Sequence, residues 1–244
     1  MPNTNLLRCP RCGRPAAERD KFCAECGVFL RDAAIDQRLL LALVHERGGR
    51  GQEARHELER LLAAEPNHAL ANHLLGNLHF HQGLLEQAAQ CYQKAVAAAP
   101  NFILGHYDLG VAYYHRGDMP RAITAFRRCL EIDRHYNAAH YRLALALFHS
   151  GQLDEAREHF ELSLALTPEY VMAHYHLGVI HERKGEYEAA TREFERNQEE
   201  SSEDVSGLYH LALMREAKGD SKAAQELRLR ARAFAKSPPV GAKQ

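Results

Sequence analysis

Apolar positions along most of this chain recur at steps of three and four residues, with polar residues between them. In the stretch "LGHYDLGVAYYHRGDMPRAITAFRRCLEI", Tyr107, Leu109, Gly110, Tyr113 and Tyr114 have helical spacing, a pattern that strand alternation does not produce. A second helical stripe carrying Ala122 and Phe126 begins after Gly117. The spacing predicts a helix, a short turn and an antiparallel second helix.

The same pattern returns every 34 residues. Gly49, Gly83, Gly117, Gly151, Gly185 and Gly219 stand at that step, as do Ala54, Ala88, Ala122, Ala156, Ala190 and Ala224. A third series is small throughout: Ala42, Gly76, Gly110, Ala144, Gly178 and Ala212. A fourth is large and apolar, Leu58, Tyr92, Phe126, Phe160 and Phe194, until Arg228 breaks it. Each series has a physical role. The glycine leaves the first helix in the left-handed region at little cost. The small residues let two helices approach, and the large side chain fills the space between them. Pro66, Pro100 and Pro168 stop the second helix. Six helical units are predicted over 35–238, at 35–68, 69–102, 103–136, 137–170, 171–204 and 205–238, the last serving as a C-terminal cap. Residues 239–244 read as a flexible tail. The acidic stretch "ERNQEESSED", with no proline at the stop, predicts a looser junction after the fifth unit.

These four position classes resemble the tetratricopeptide repeat, and the resemblance covers roughly residues 35–238. It implies an all-α fold, a right-handed superhelix whose first helices line a concave, partner-binding face. Where the family often places a large aromatic in the first helix, this chain has Asn72, His106, His140 and His174. Carried onto this sequence, the family's groove positions include Asn77, Phe80 and His81, then Tyr107, Tyr114 and His115. Tyr141, Phe148 and His149 follow in the next unit, and Tyr175 with Val179, Glu182 and Arg183 in the one after. Tyr and Phe supply large contact area at low ordering cost, so the strip is expected to bind a protein or peptide segment. Some family members grip a C-terminal carboxylate with Lys, Asn and Arg. Asn77 matches one clamp position, but His73 and Asp108 replace the next expected residues, so that specificity is not expected here.

The chain has 244 residues, of which 31 are Lys or Arg and 32 Asp or Glu, a near balance that gives no footprint for nucleic acid. No stretch approaches 18 consecutive apolar residues and no signal-like start is evident, so the protein is expected to be cytoplasmic and not membrane-bound. The sixteen histidines are titratable near neutrality. His106, His140 and His174 share a repeat position, but neighbouring units stand about 10 Å apart, too far to share a metal. No HExxH, phosphate loop or nucleophile elbow is present, so no enzyme activity is expected.

One segment departs from the helical pattern. Cys9, Cys12, Cys23 and Cys26 form two CxxC pairs ten residues apart, followed by Gly13 and Gly27. Four thiolates in tetrahedral array suit one structural zinc, although iron uses the same ligand set and a CxxC pair can also be redox-active. The segment resembles the short zinc-ribbon family over about residues 8–30, within a module predicted at 1–31. That resemblance implies zinc held by the four cysteines. About 25 residues cannot build an adequate apolar core, and metal binding supplies folding energy instead. Cys91 and Cys129 lie in helical stripes and read as small core residues. The expected function is a protein-interaction scaffold. An RNA-associated or regulatory factor reading its partner through the ribbon is the alternative.

Overall fold

The computed structural model describes residues 7–8, 15–16, 37–168, 170–201 and 204–236. Near its start, β1 (Leu7–Arg8) and β2 (Pro15–Ala16) pair antiparallel, with Leu7 opposite Ala16 and Arg8 opposite Pro15. Twelve helices follow among the described residues, in six pairs. They are α1 (Gln37–Arg47) and α2 (Gly51–Ala64), α3 (Ala69–His81) and α4 (Leu85–Ala98), and α5 (Ile103–His115) and α6 (Met119–Ile132). Then come α7 (Asn137–His149) and α8 (Leu153–Leu166), α9 (Val171–Arg183) and α10 (Tyr187–Glu200), and α11 (Val205–Ala217) and α12 (Ser221–Lys236). The chain divides into two compact units, residues 1–146 and 147–244, so the last turn of α7 belongs to the second.

One turn chemistry joins every pair. The six turn glycines have φ between 70° and 82°, a region that other residues enter only with strain. In α5, Gly117 N–H donates to the Tyr114 carbonyl at 3.0 Å and Asp118 N–H to Tyr113 at 2.9 Å. This is the Schellman pattern, which satisfies the orphan carbonyls of the helix end. The second of these bonds recurs at Arg50, Leu84, Gln152, Glu186 and Asp220. Each of those residues also starts the following helix, so three residues end one helix and begin the next. Connections between pairs are equally uniform. Phe102 N–H donates to Ala99 at 3.0 Å across Pro100, closing a β-turn, and His68, Tyr136 and Tyr170 close the same turn. The junction expected to be looser closes alike, Asp204 N–H reaching the Ser201 carbonyl at 3.1 Å. Asp204 there caps α11 by accepting from the Ser206 and Gly207 N–H groups, so an aspartate supplies what the absent proline does not.

In the first unit, a Cβ built on Gly76 would stand 2.6 Å from the Tyr92 ring, and one on Gly110 equally close to Phe126. Gly178 and Phe194 repeat the arrangement in the second unit. Tyr92, Phe126, Phe160 and Phe194 are all fully buried. Each such ring contributes about 1.5–3 kcal/mol of apolar burial. Cys91 and Cys129 are buried free thiols, and burial pushes Cys129 up to about 12.

The polar residues in place of the family's aromatic have a specific use. Asn72 Nδ2–H donates to the Pro66 carbonyl at 2.9 Å. His106 Nε2 meets the Pro100 carbonyl, and His140 Nε2 the Arg134 carbonyl, both at 2.9 Å. In each case the side chain ties its helix to the turn six residues back. His174 differs: its Nδ1 lies 2.7 Å from Glu193 on α10.

Candidate functional site

Small residues commit one face of each first helix to its pair partner, and the residues expected to line a groove stand on the remaining surface. On the first unit, Phe80 meets the His115 ring edge-on at 5.6 Å, and Tyr114 meets His115 at 5.7 Å. Tyr107 packs edge-on to Tyr136 at 5.6 Å and against Phe126 at 6.0 Å. Asn77 accepts the Tyr92 hydroxyl proton at 2.8 Å, which ties it to the second helix of its own pair. Phe80, Tyr107, Tyr114 and Tyr141 are half-buried, while His81 and His115 are exposed. Burial raises the Tyr114 phenol, so it stays a neutral hydrogen-bonding group.

His73 and Asp108, the two departures from the carboxylate clamp, belong together. His73 Nε2 lies 2.7 Å from Asp108 Oδ2, linking α3 to α5, and the His73 ring packs edge-on to Phe102 at 5.0 Å. An aspartate at this place meets an incoming carboxylate with like charge.

The second unit holds a pocket of about 620 Å³. Its wall comes from Phe148 and His149 of α7 and from Tyr175, His176, Val179, Glu182 and Arg183 of α9. Tyr187 and His210 complete it from α10 and α11. Phe148 is only 8% exposed, and the Arg183 guanidinium sits 4.6 Å above its ring. His176 stacks on Phe160 at 5.1 Å with 7° between planes, and His210 stacks on Phe194 at 4.9 Å with 14°. His210 Nδ1 also pairs with Glu182 at 2.7 Å, and its Nε2 stands 3.5 Å from the Tyr175 hydroxyl. Burial, with a smaller effect from His149, pushes His176 down to about 4, so the ring is neutral at pH 7. Burial first, then Asp204 and Glu182, raise the Tyr175 phenol. The pocket is thus an aromatic floor with Glu182, Arg183 and the exposed His149 at its rim.

Sequence reasoning placed Phe148, His149, Tyr175, Val179, Glu182 and Arg183 here and missed His176, Tyr187 and His210. A signal was present for two of these. His176 and His210 are one 34-residue step apart, each next to a tyrosine of the strip. Phe148, expected on an open surface, is roofed by Arg183 because an arginine can lie flat on an aromatic face while its charge stays wet.

No three His, Cys, Asp or Glu side chains converge as metal ligands among the described residues. Cys9, Cys12, Cys23 and Cys26 lie outside those residues. The β1–β2 pairing sets Arg8 opposite Pro15, which brings together the two ends of the segment carrying the first CxxC pair. No helix among the described residues is long and apolar enough to cross a membrane.

Comparison with known proteins gives a consistent assignment. The tetratricopeptide repeat profile matches residues 39–101, 107–171 and 141–202, and a zinc-ribbon domain profile matches residues 5–30. No curated protein matches. Among solved structures, MamA from Desulfovibrio magneticus RS-1 is similar at 23% identity and a TM-score of 0.66, over 70% of this chain and 97% of that one. YrrB, described as a TPR protein with an unusual peptide-binding site, is 18% identical at a TM-score of 0.63, over 72% and 91%. A tetratricopeptide repeat protein from Parabacteroides merdae is 18% identical at a TM-score of 0.70, over 84% and 80%. Helix pairs stepped by 34 residues, the buried aromatic against a small residue, and these matches lead to one conclusion: the chain belongs to the tetratricopeptide repeat family and carries a zinc-ribbon domain ahead of its repeats.

Proposed function

We propose that this protein is an interaction adaptor that binds an extended protein segment on the first-helix surface of its repeats. The supporting observation is the pocket of the second unit, where Phe148, Tyr175 and two stacked imidazoles form an aromatic floor with Glu182 and Arg183 at its rim. His149 stands at the rim of that pocket, and on the first unit Phe80, Asn77, His81, Tyr107, Tyr114, His115 and Tyr141 would form a contact surface of their own. Aromatic side chains supply apolar contact, and imidazoles at the rim satisfy the polar backbone of the segment. The peptide-binding site described for YrrB is in keeping with this role. Burial raises the Tyr175 phenol, which keeps it a neutral hydrogen-bonding group beside His210, and burial likewise keeps His176 neutral. The reading is therefore binding, not catalysis.

The zinc-ribbon domain would hold one zinc through Cys9, Cys12, Cys23 and Cys26. Four thiolates fill a tetrahedral shell and leave no position for a reacting water, so the metal would supply folding energy only. Elemental analysis of native protein should give about one zinc per chain. Cys23→Ser should release it while most helicity remains.

The test of the groove is titration of a captured partner against wild type and an Arg183→Ala, Tyr187→Ala variant, at low and high salt. Both side chains are exposed, so the helices should survive their loss. Weaker binding with unchanged helicity, and little salt dependence, is the expected result. Full binding by the variant, or a steep salt dependence of the kind phosphate contacts produce, would move the function to the ribbon and to nucleic acid.

A further inference from the structure

The first helix pair lacks something that every later pair has. Leu41 is 47% exposed on α1, yet the residues at its repeat position, Leu75, Leu109, Leu143, Leu177 and Leu211, are each 9% exposed or less. Val44 is 50% exposed, whereas Leu78, Ala112, Ala146, Ile180 and Met214 are each 8% or less. Leu40, at 50%, extends the bare face, and its successor Leu74 is 8% exposed. On α3 the cause of burial is plain: Leu74, Leu75 and Leu78 share one core cluster with Leu58 and Leu61 of the preceding α2. For α1, no helix precedes it among the described residues. Its opposite face, Leu39 and Ala42, is buried in that same cluster, so the exposed face is not a consequence of a loose helix.

We propose that this face of α1 is the docking site of the chain's own zinc-ribbon domain, which takes the place that a preceding helix occupies in later pairs. Tethering and composition both favour this occupant, whatever the groove binds. The domain match ends at residue 30 and α1 begins at Gln37, which leaves residues 31–36 between them. Six residues reach at most roughly 20 Å, and α1 itself is only about 16 Å long. The ribbon is therefore held at an effective concentration in the millimolar range beside Leu41 and Val44. The matched segment includes Phe22, Phe29 and Leu30, apolar residues that a module of this size has little core to bury. Each party supplies the apolar surface the other lacks. A second copy of the chain, pairing α1 to α1, is the competing occupant.

Methyl nuclear Overhauser spectroscopy on the full chain decides between them. Cross-peaks from the Leu41 and Val44 methyls to the Phe22 or Phe29 rings are expected, unchanged in intensity per molecule over a tenfold dilution. In Leu41→Glu and Val44→Glu variants those cross-peaks should vanish. Amide exchange in residues 5–30 should then rise at least tenfold, while exchange in α3 to α6 stays the same. Three results would each overturn the proposal: no such cross-peaks in the folded wild-type chain, cross-peaks only between differently labelled copies, or unchanged ribbon exchange in both variants.

Discussion

Replacing Gly110 by leucine probes the contact on which each helix pair is built. A single added Cβ would stand 2.6 Å from Cε1, 2.7 Å from Cδ1 and 2.9 Å from Cζ of Phe126, all closer than carbon atoms approach. The Phe126 ring is fully buried and cannot swing into solvent. Two effects oppose each other. Removing a mid-helix glycine stabilises α5 by about 0.8–1 kcal/mol. Forcing four extra carbons into filled space costs about 3 kcal/mol, the upper end of the range for overpacking. The second effect wins, for a net loss of about 2 kcal/mol. For a chain of this size that corresponds to a midpoint about 4–8 °C lower. Gly110→Ala should cost about 1 kcal/mol or less, because Ala42, Ala144 and Ala212 occupy the equivalent positions and are buried there. Thermal unfolding followed by circular dichroism gives the midpoints. Amide exchange in α5 and α6 localises the loss, since repeats open in parts. A leucine variant as stable as wild type, or an alanine variant less stable than the leucine one, would refute the close-packing argument.

Three further outcomes are expected. His176 is pushed down to about 4 from its ordinary 6.5, facing Phe160, Phe148, Tyr175 and His149, so between those values the unfolded chain binds a proton that the folded chain refuses. Its contribution is complete above pH 6.5 and is lost as pH falls toward 4, by at most about 3 kcal/mol; denaturant titrations across that range should show a flatter pH dependence for His176→Phe, and an identical slope would count against the assignment. Gly117→Ala meets no atom within 4 Å but must hold φ at 78°, so a loss of about 1 kcal/mol should appear from backbone strain alone. His106→Ala should lose about 1 kcal/mol with its bond to the Pro100 carbonyl, and His106→Asn should recover most of it, as Asn72 makes the same bond in the preceding pair; equal midpoints for the two variants would show that the bond contributes nothing.

What could be read from the sequence was whatever recurs. The turn glycines, the small residue opposite each buried ring and the helical stripes all repeat at one step, so their chemistry was visible without coordinates. What could not be read were contacts between dissimilar partners. His73 and Asp108 look like two separate failures of a clamp, and only the packing of α3 beside α5 turns them into one hydrogen-bonded pair. His106 and His140 look like a ladder of side chains, yet each bonds a backbone carbonyl, which carries no signature in the sequence. His174, at the same position, instead found Glu193 on its neighbouring helix. In the pocket, the roof that Arg183 places over Phe148 depends on a long side chain folding back, which residue spacing does not encode.

The uniform turns have a consequence for how such a chain changes length. At Asp118, for example, one residue closes the end of α5 and opens α6, so a single-residue insertion there damages two helices at once. Excising residues 103–136 as a block would do no such harm. Phe102 would keep its turn bond to Ala99, Asn137 would stand where Ile103 stood, and every remaining helix would keep both of its caps. Growth and loss by whole units of 34 residues therefore leave the local chemistry intact. The number of helix pairs is free to vary while the geometry of each one is not.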